Sequence, residues 1–165
     1  MAQNEFTRPD ELAVQRVLSL HKGYHAEVII RLAWNLGLFR DEMYNLKWSD
    51  ISFEEKTVQL PDRTVPMDDE TSECLERRSK TKQGQKLEYV VTSDRGYTHL
   101  APQSISRVAK DALNKGGLKG ITLLDLRHDY IIRQLEQHDW PYVSRITGIA
   151  VASLYACYSE HYTNG

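Results

Sequence analysis

The sequence predicts an α+β domain that is mainly α, a helical bundle carrying a small antiparallel β-sheet. Two observations carry this expectation. Apolar residues recur at helical spacing before residue 46 and again after residue 68. Between residues 48 and 66 the chain instead reads as short extended pieces around tight turns. A third observation fixes the domain count: 165 residues without an internal repeat or a separable second unit suit one domain over 1–165 with one core.

The elements follow in order. Pro9-Asp10-Glu11 ahead of Leu12, Val14, Val17, Leu18 and Leu20 predicts a helix to about Lys22, opened by proline and an acidic first turn. Val28, Ile29, Leu32, Ala33 and Leu36 predict a second helix that stops at Gly37, and Glu42, Met43 and Leu46 a short third one. Trp48 to Phe53, Lys56 to Leu60 and Arg63 to Pro66, with Pro61-Asp62 as a turn, predict the sheet, expected around Phe53 to Val65.

Asp68 to Arg78 returns to helix, Ser79 to Lys86 is a polar connector, and Tyr89-Val90-Val91 is one more extended piece. Ala101-Pro102-Gln103-Ser104 caps a helix through Leu113 that ends at the glycines of 116–120. Leu123 to Gln137 forms a further helical stretch, Trp140-Pro141 opens another toward Gly148, and Val151 to His161 a last one.

Composition narrows the function classes. No window approaches the roughly 18 apolar residues that span a bilayer, and Met1 to Glu5 lack the layout of a signal peptide, so the expected location is cytoplasmic. Cys74 and Cys157 match neither a disulfide scaffold nor a metal knuckle. His21 with His25, and Cys157 with His161, stand at helical spacing but lack third and fourth ligands, so no metal or other cofactor is expected. A net charge of −2 gives no global basic footprint for DNA. Local clusters remain at Arg77 to Lys86 and at Arg107, Lys110, Lys115 and Lys119.

Several motifs, in order, resemble the catalytic domain of the tyrosine recombinases, the phage integrase family. Gly37-Leu38-Phe39-Arg40-Asp41-Glu42-Met43 and Leu46-Lys47-Trp48-Ser49-Asp50-Ile51 are similar to the family's Gly-Leu-Arg-x-x-Glu-Leu box and its Leu-x-Trp-x-Asp-Ile tail. Arg63-Thr64-Val65-Pro66-Met67 resembles its second sheet hairpin, and Leu124-Asp125-Leu126-Arg127-His128 its His-x-Leu-Arg-His box. Gly148 and Tyr158 keep the spacing from glycine to nucleophile. The resemblance implies the tyrosine-recombinase catalytic fold, with the N-terminal DNA-binding domain of full-length integrases absent here.

It also implies a chemistry. A tyrosine oxygen attacks the DNA phosphorus and the 5′ oxygen leaves, so charge builds on the non-bridging oxygens. Two arginines hold those oxygens, while a hairpin lysine and histidines handle protons, without a metal. The candidate catalytic residues are Tyr158, Arg127 and Arg40, and the candidate DNA contacts Arg127, His128, Arg107 and Lys110. The sequence departs from the pattern at four places: Phe39 stands for the first arginine, Val58 for the lysine, Leu124 for the first histidine and Ile149 for the histidine after the glycine. Loss of one preorganised donor lowers rates on the order of 10²–10³-fold, so catalysis is expected to be impaired.

The expected partner is duplex DNA, with self-association on it. Three functions stay open: a degenerate integrase domain that still binds DNA, an active recombinase rebuilt around Arg40, and a protein-interaction or regulatory relic. Structural readings stand beside the functional ones. Arg127 has Asp125 and Asp129 as ion-pair partners to hand, His128 suits a packed or hydrogen-bonded role, and Tyr158 suits a packing tyrosine with its hydroxyl at the surface. If the helix register matches the family, Phe39 faces the former phosphate pocket, Arg40 points about a quarter turn away, and Arg127 and Tyr158 share a concave face.

Overall fold

The computed structural model describes residues 6–161. Met1 to Glu5, read above for a leader, lie outside the described residues. Helix α1 (Glu11–Leu20) begins after Asp10, whose carboxylate accepts the Ala13 N–H at 3.0 Å and caps the first turn. Helix α2 (His25–Leu36) is buried along nearly all its length and ends at Gly37, which takes a left-handed conformation at φ +70°. Short α3 (Arg40–Asn45) follows, with the Glu42 carboxylate accepting the Phe39 N–H at 2.9 Å.

The sheet is antiparallel, in the order β1-β2-β3. Strand β1 (Ile51–Ser52) pairs with the start of β2 (Thr57–Leu60), and β2 pairs with β3 (Arg63–Pro66) in the register Val58 to Val65 and Leu60 to Arg63. The sheet is smaller at its start than expected: Phe53 lies in the turn after β1, where its ring packs on the core rather than pairing. Alternation decides which side chains face inward, so Val58, Leu60, Arg63 and Val65 are buried.

Helix α4 (Asp69–Ser79) is capped by Asp68. A four-residue helix, α5 (Lys82–Gln85), lies inside the stretch expected to be only a connector; the Thr81 hydroxyl caps it by accepting the Gly84 N–H. Tyr89 bridges Lys47, and the Val90 N–H donates to Leu46, as an extended piece should. Helix α6 (Pro102–Lys115) runs two residues beyond Leu113. Helix α7 (Leu123–Gln137) starts from a reciprocal cap between Thr122 and Asp125. Asp139 caps α8 (Trp140–Thr147), which ends at Gly148. The last stretch is α9 (Val151–Tyr158) and then a tighter 3₁₀ turn from 159 to 161, not one helix to His161.

Helix α2 is the centre of the main core, packed by α1, α4, α6 and α7. Helix α7 is the wall between two cores. Leu126 faces the main cluster, whereas Tyr130, Ile131, Ile132 and Leu135 join Val143, Ile146, Leu154 and Tyr158 in a second. Tyr158 is thus placed by the packing of α9 on α7 and α8. No helix among the described residues is long and apolar enough to cross a membrane.

Candidate functional site

Leu124, Arg127 and His128 stand three and four residues apart on α7 and share one face. Arg127 is only 5% exposed. Its Nη1 donates to the Gly37 carbonyl, and the Phe39 ring lies over its guanidinium at 3.7 Å. The left-handed turn at Gly37 brings both groups there. Arg127 forms no ion pair among the described residues, and burial, helped by Arg63, pulls its pKa down to about 10 against the pull of Glu42. It is still a cation at neutral pH. The alternative reading as an ion-pair partner of Asp125 and Asp129 fails because Asp125 is spent on its helix cap and Asp129 on Arg8, Arg133 and Trp34.

Tyr158 is 3% exposed, so its hydroxyl is not at the surface as a simple packing tyrosine would place it. The hydroxyl pairs with His128 Nδ1, and the Phe6 ring stacks on His128 at 4.4 Å. The chain leading to α1 is tied down beside it: Thr7 N–H donates to Asp125 and Arg8 to Asp129. Burial pushes the Tyr158 hydroxyl up to about 12, although the nearby Arg127 charge opposes the rise. Arg127 and Tyr158 are therefore neighbours, both nearly covered, and of the two only Arg127 borders the cavity described below.

A cluster that the sequence did not reveal lies beside them. Arg63, inward on β3, makes a forked pair with Glu42 at 2.7 and 3.1 Å, reaches Asp62 at 2.9 Å, and donates its Nε to the Ile146 carbonyl at 3.0 Å. Burial lowers its affinity for the proton, but the two carboxylates outweigh that and leave its pKa raised. The two-residue turn Pro61-Asp62 presses against the junction of α8 and α9, so a Cβ at Gly148 would meet Asp62 Oδ2 at 2.4 Å. Asp62 thus puts a negative charge beside the residues that resemble a phosphate site. The only sequence signal for this was the turn expected at Pro61-Asp62.

The remaining expected residues scatter. Arg40 points to α6 and donates to Ser106 at 3.0 Å; Arg107 is exposed and reaches Ser104 at 3.4 Å. Arg40, Lys110, Phe39, Leu124 and Arg127 do line one open cavity of about 700 Å³, which Tyr158 does not border. Val58 is sealed in the core. Lys56, the nearest lysine in sequence, sits just before β2, at the end away from the Pro61-Asp62 turn, and pairs with Asp69. The Arg77 to Lys86 strip is largely spent within the fold: Arg77 pairs with Glu27, Arg78 bonds the carbonyls of Ser93 and Asp94, and Lys86 lies over Tyr97. No metal-ligating cluster occurs among the described residues.

Two half-buried histidines set a pH dependence. Burial lowers the pKa of His128, with Arg127 adding to it and Asp125 opposing. Burial also lowers that of His25, against Asp94. A folded-state pKa below the unfolded value means that the unfolded chain binds protons first. Stability is therefore expected to be full above about pH 6.5, the unfolded histidine value, and to fall as the pH drops below it. Urea unfolding between pH 7.5 and 5 measures this; an unfolding free energy that stays flat, or rises toward pH 5, contradicts it.

Residues 10–161 match the Phage integrase family. The tyrosine recombinase XerA of Pyrococcus furiosus is 28% identical over 120 residues, covering 67% of this chain and 41% of that protein. The fold is similar to a crystal structure of XerA recombinase, with a TM-score of 0.76 at 22% identity over 96% of this chain and 64% of the other. It is equally similar to the Tn1549 transposon integrase solved in complex with transposon right-end DNA, with a TM-score of 0.76 at 16% identity over 97% of this chain and 62% of that one. The chain spans under half the length of the XerA relative and under two thirds of both solved chains. With the family matched across nearly all of the described residues, the chain belongs to the phage integrase family.

Proposed function

We propose that this chain is a DNA-binding domain related to site-specific DNA recombination and integration, with its cleavage chemistry impaired. The observation that carries the reading is the Phe39 ring lying on the Arg127 guanidinium at 3.7 Å. In-line attack by a tyrosine needs donors aimed at the developing charge on phosphorus. Here the ring covers one such donor and offers none, and Arg63 beside it is neutralised by Glu42 and Asp62. Tyr158 is buried, bonded to His128, and holds its proton tightly.

DNA as the partner rests on the family and on the DNA-bound transposon integrase that shares the fold. A site rebuilt around Arg40 is disfavoured, since that side chain turns to Ser106 and borders a cavity from which Tyr158 is absent. The test is incubation with a nicked suicide substrate followed by denaturing electrophoresis, alongside duplex binding at several salt concentrations. Expected are binding that weakens with salt and no covalent band, either for the wild type or for Phe39→Arg alone. A wild-type band that Tyr158→Phe abolishes overturns the impairment, and absence of salt-sensitive binding overturns the DNA partner.

A further inference from the structure

The cavity between α3, α6 and the start of α7 has features that DNA backbone binding leaves unused. At about 700 Å³ it falls in the range of small-ligand sites and is lined mainly by apolar atoms. Phe39 forms one wall. Arg127 takes one side of its ring, yet the residue remains 45% exposed. A ring with a cation at its back is electron-poor at its front, and so favours stacking on an electron-rich flat system. Leu123 and Leu124 add apolar surface to the lining, with Leu124 53% exposed where the resemblance places a histidine.

The polar groups around the cavity are few and distinct. Lys110 has no hydrogen bond or ion pair among the described residues, and Arg40 keeps donors beyond the one given to Ser106. Asp41 also borders the cavity, and its carboxylate has no hydrogen bond or ion pair among the described residues. It is an acceptor suited to an exocyclic amine, as carboxylates accept from a base amino group. An apolar slot, a stacking ring, an acceptor and two cations together match one nucleotide unit.

We infer that this cavity takes a single unstacked nucleotide, its base against Phe39, its exocyclic amine toward Asp41 and its phosphate toward Lys110 and Arg40. The inference rests on the DNA-binding reading for the strand as source; a free nucleotide presents the same chemistry. Taking a base out of a duplex is least unfavourable where it is already unpaired. The site should therefore show itself as a preference for a duplex with one unpaired base.

Two labelled duplexes test this by anisotropy, one fully paired and one with a single unpaired 2-aminopurine, whose emission reports stacking. Expected is about tenfold tighter binding of the unpaired duplex, in line with what one base stacked on an aromatic ring contributes, together with a change in 2-aminopurine emission. Phe39→Ala should abolish both, Phe39→Tyr should keep both, and Lys110→Ala should weaken the unpaired duplex more than the paired one. Equal binding of the two duplexes by the wild type, or a preference that survives Phe39→Ala, overturns the nucleotide site while salt-sensitive binding of the paired duplex leaves the DNA reading standing. If neither duplex binds, the DNA reading fails, and titration with free deoxyadenosine monophosphate decides the cavity alone. Binding lost in Phe39→Ala then supports a free-nucleotide site, and no binding overturns it.

Discussion

Asp129→Ala is expected to destabilise the fold by about 3–5 kcal/mol, the range for removing one partner of a buried charged network. The carboxylate is 4% exposed on α7 and accepts from three side chains at once. Trp34 Nε1 on α2 donates at 2.8 Å, Arg133 Nε one turn along α7 at 2.9 Å, and Arg8 Nε before α1 at 2.7 Å. Arg133 also lies over the Trp34 ring and donates to the Trp34 carbonyl. Alanine leaves the Trp34 indole N–H without an acceptor and two guanidinium groups without their counter-charge. Asparagine keeps one acceptor oxygen and should lose less. Urea unfolding of both variants is the measurement; a loss under about 1 kcal/mol for Asp129→Ala would mean the network is no stronger than a surface ion pair.

The same substitution ties the fold to the site. Arg8 holds the segment that carries Phe6 onto His128, so losing Asp129 also loosens the cover over Tyr158. None of this was visible in the sequence, because an acidic residue at position 129 reads equally well as a solvated charge on α7 or as a partner for Arg127. The element order was legible for a physical reason. Helical spacing, the proline and acidic first turn at Pro9-Asp10-Glu11, and the stops at Gly37 and Gly148 are local, and local interactions leave a pattern. Motif spacing was also what marked Phe39, Val58, Leu124 and Ile149 as expected departures from the family pattern. What the side chains do instead depends on partners far away in sequence. Arg63 meets Glu42 across 21 positions and Ile146 across 83, and Phe6 reaches His128 from before the first helix. Strand alternation put Arg63 on the inward face, and only the tertiary arrangement decided that carboxylates, rather than a phosphate, would meet it there.

Gly37→Ala is expected to destabilise by about 2–5 kcal/mol, the sum of about 1–2 kcal/mol for a side chain in a left-handed conformation and about 1–3 kcal/mol for overpacking. Gly37 closes α2 at φ +70°, with its N–H donating to Ala33, the bond of a left-handed helix ending, and the Leu38 N–H donating to Leu32. An added Cβ would lie 2.4 Å from Cδ2 and 2.7 Å from Cε2 of Tyr130, a ring buried in the second core. Gly117 provides the comparison: it has φ +85° and nothing within 4 Å of an added Cβ. Gly117→Ala should therefore show the conformational part alone, and the difference between the two variants isolates the clash. Equal losses would show that the Tyr130 contact relaxes freely. The carbonyl of Gly37 is also what holds Arg127, so a shift at this turn moves the guanidinium and the Phe39 ring resting on it. Weaker stacking of an unpaired 2-aminopurine by a still-folded Gly37→Ala, with Gly117→Ala unchanged, is the expected functional trace of that displacement.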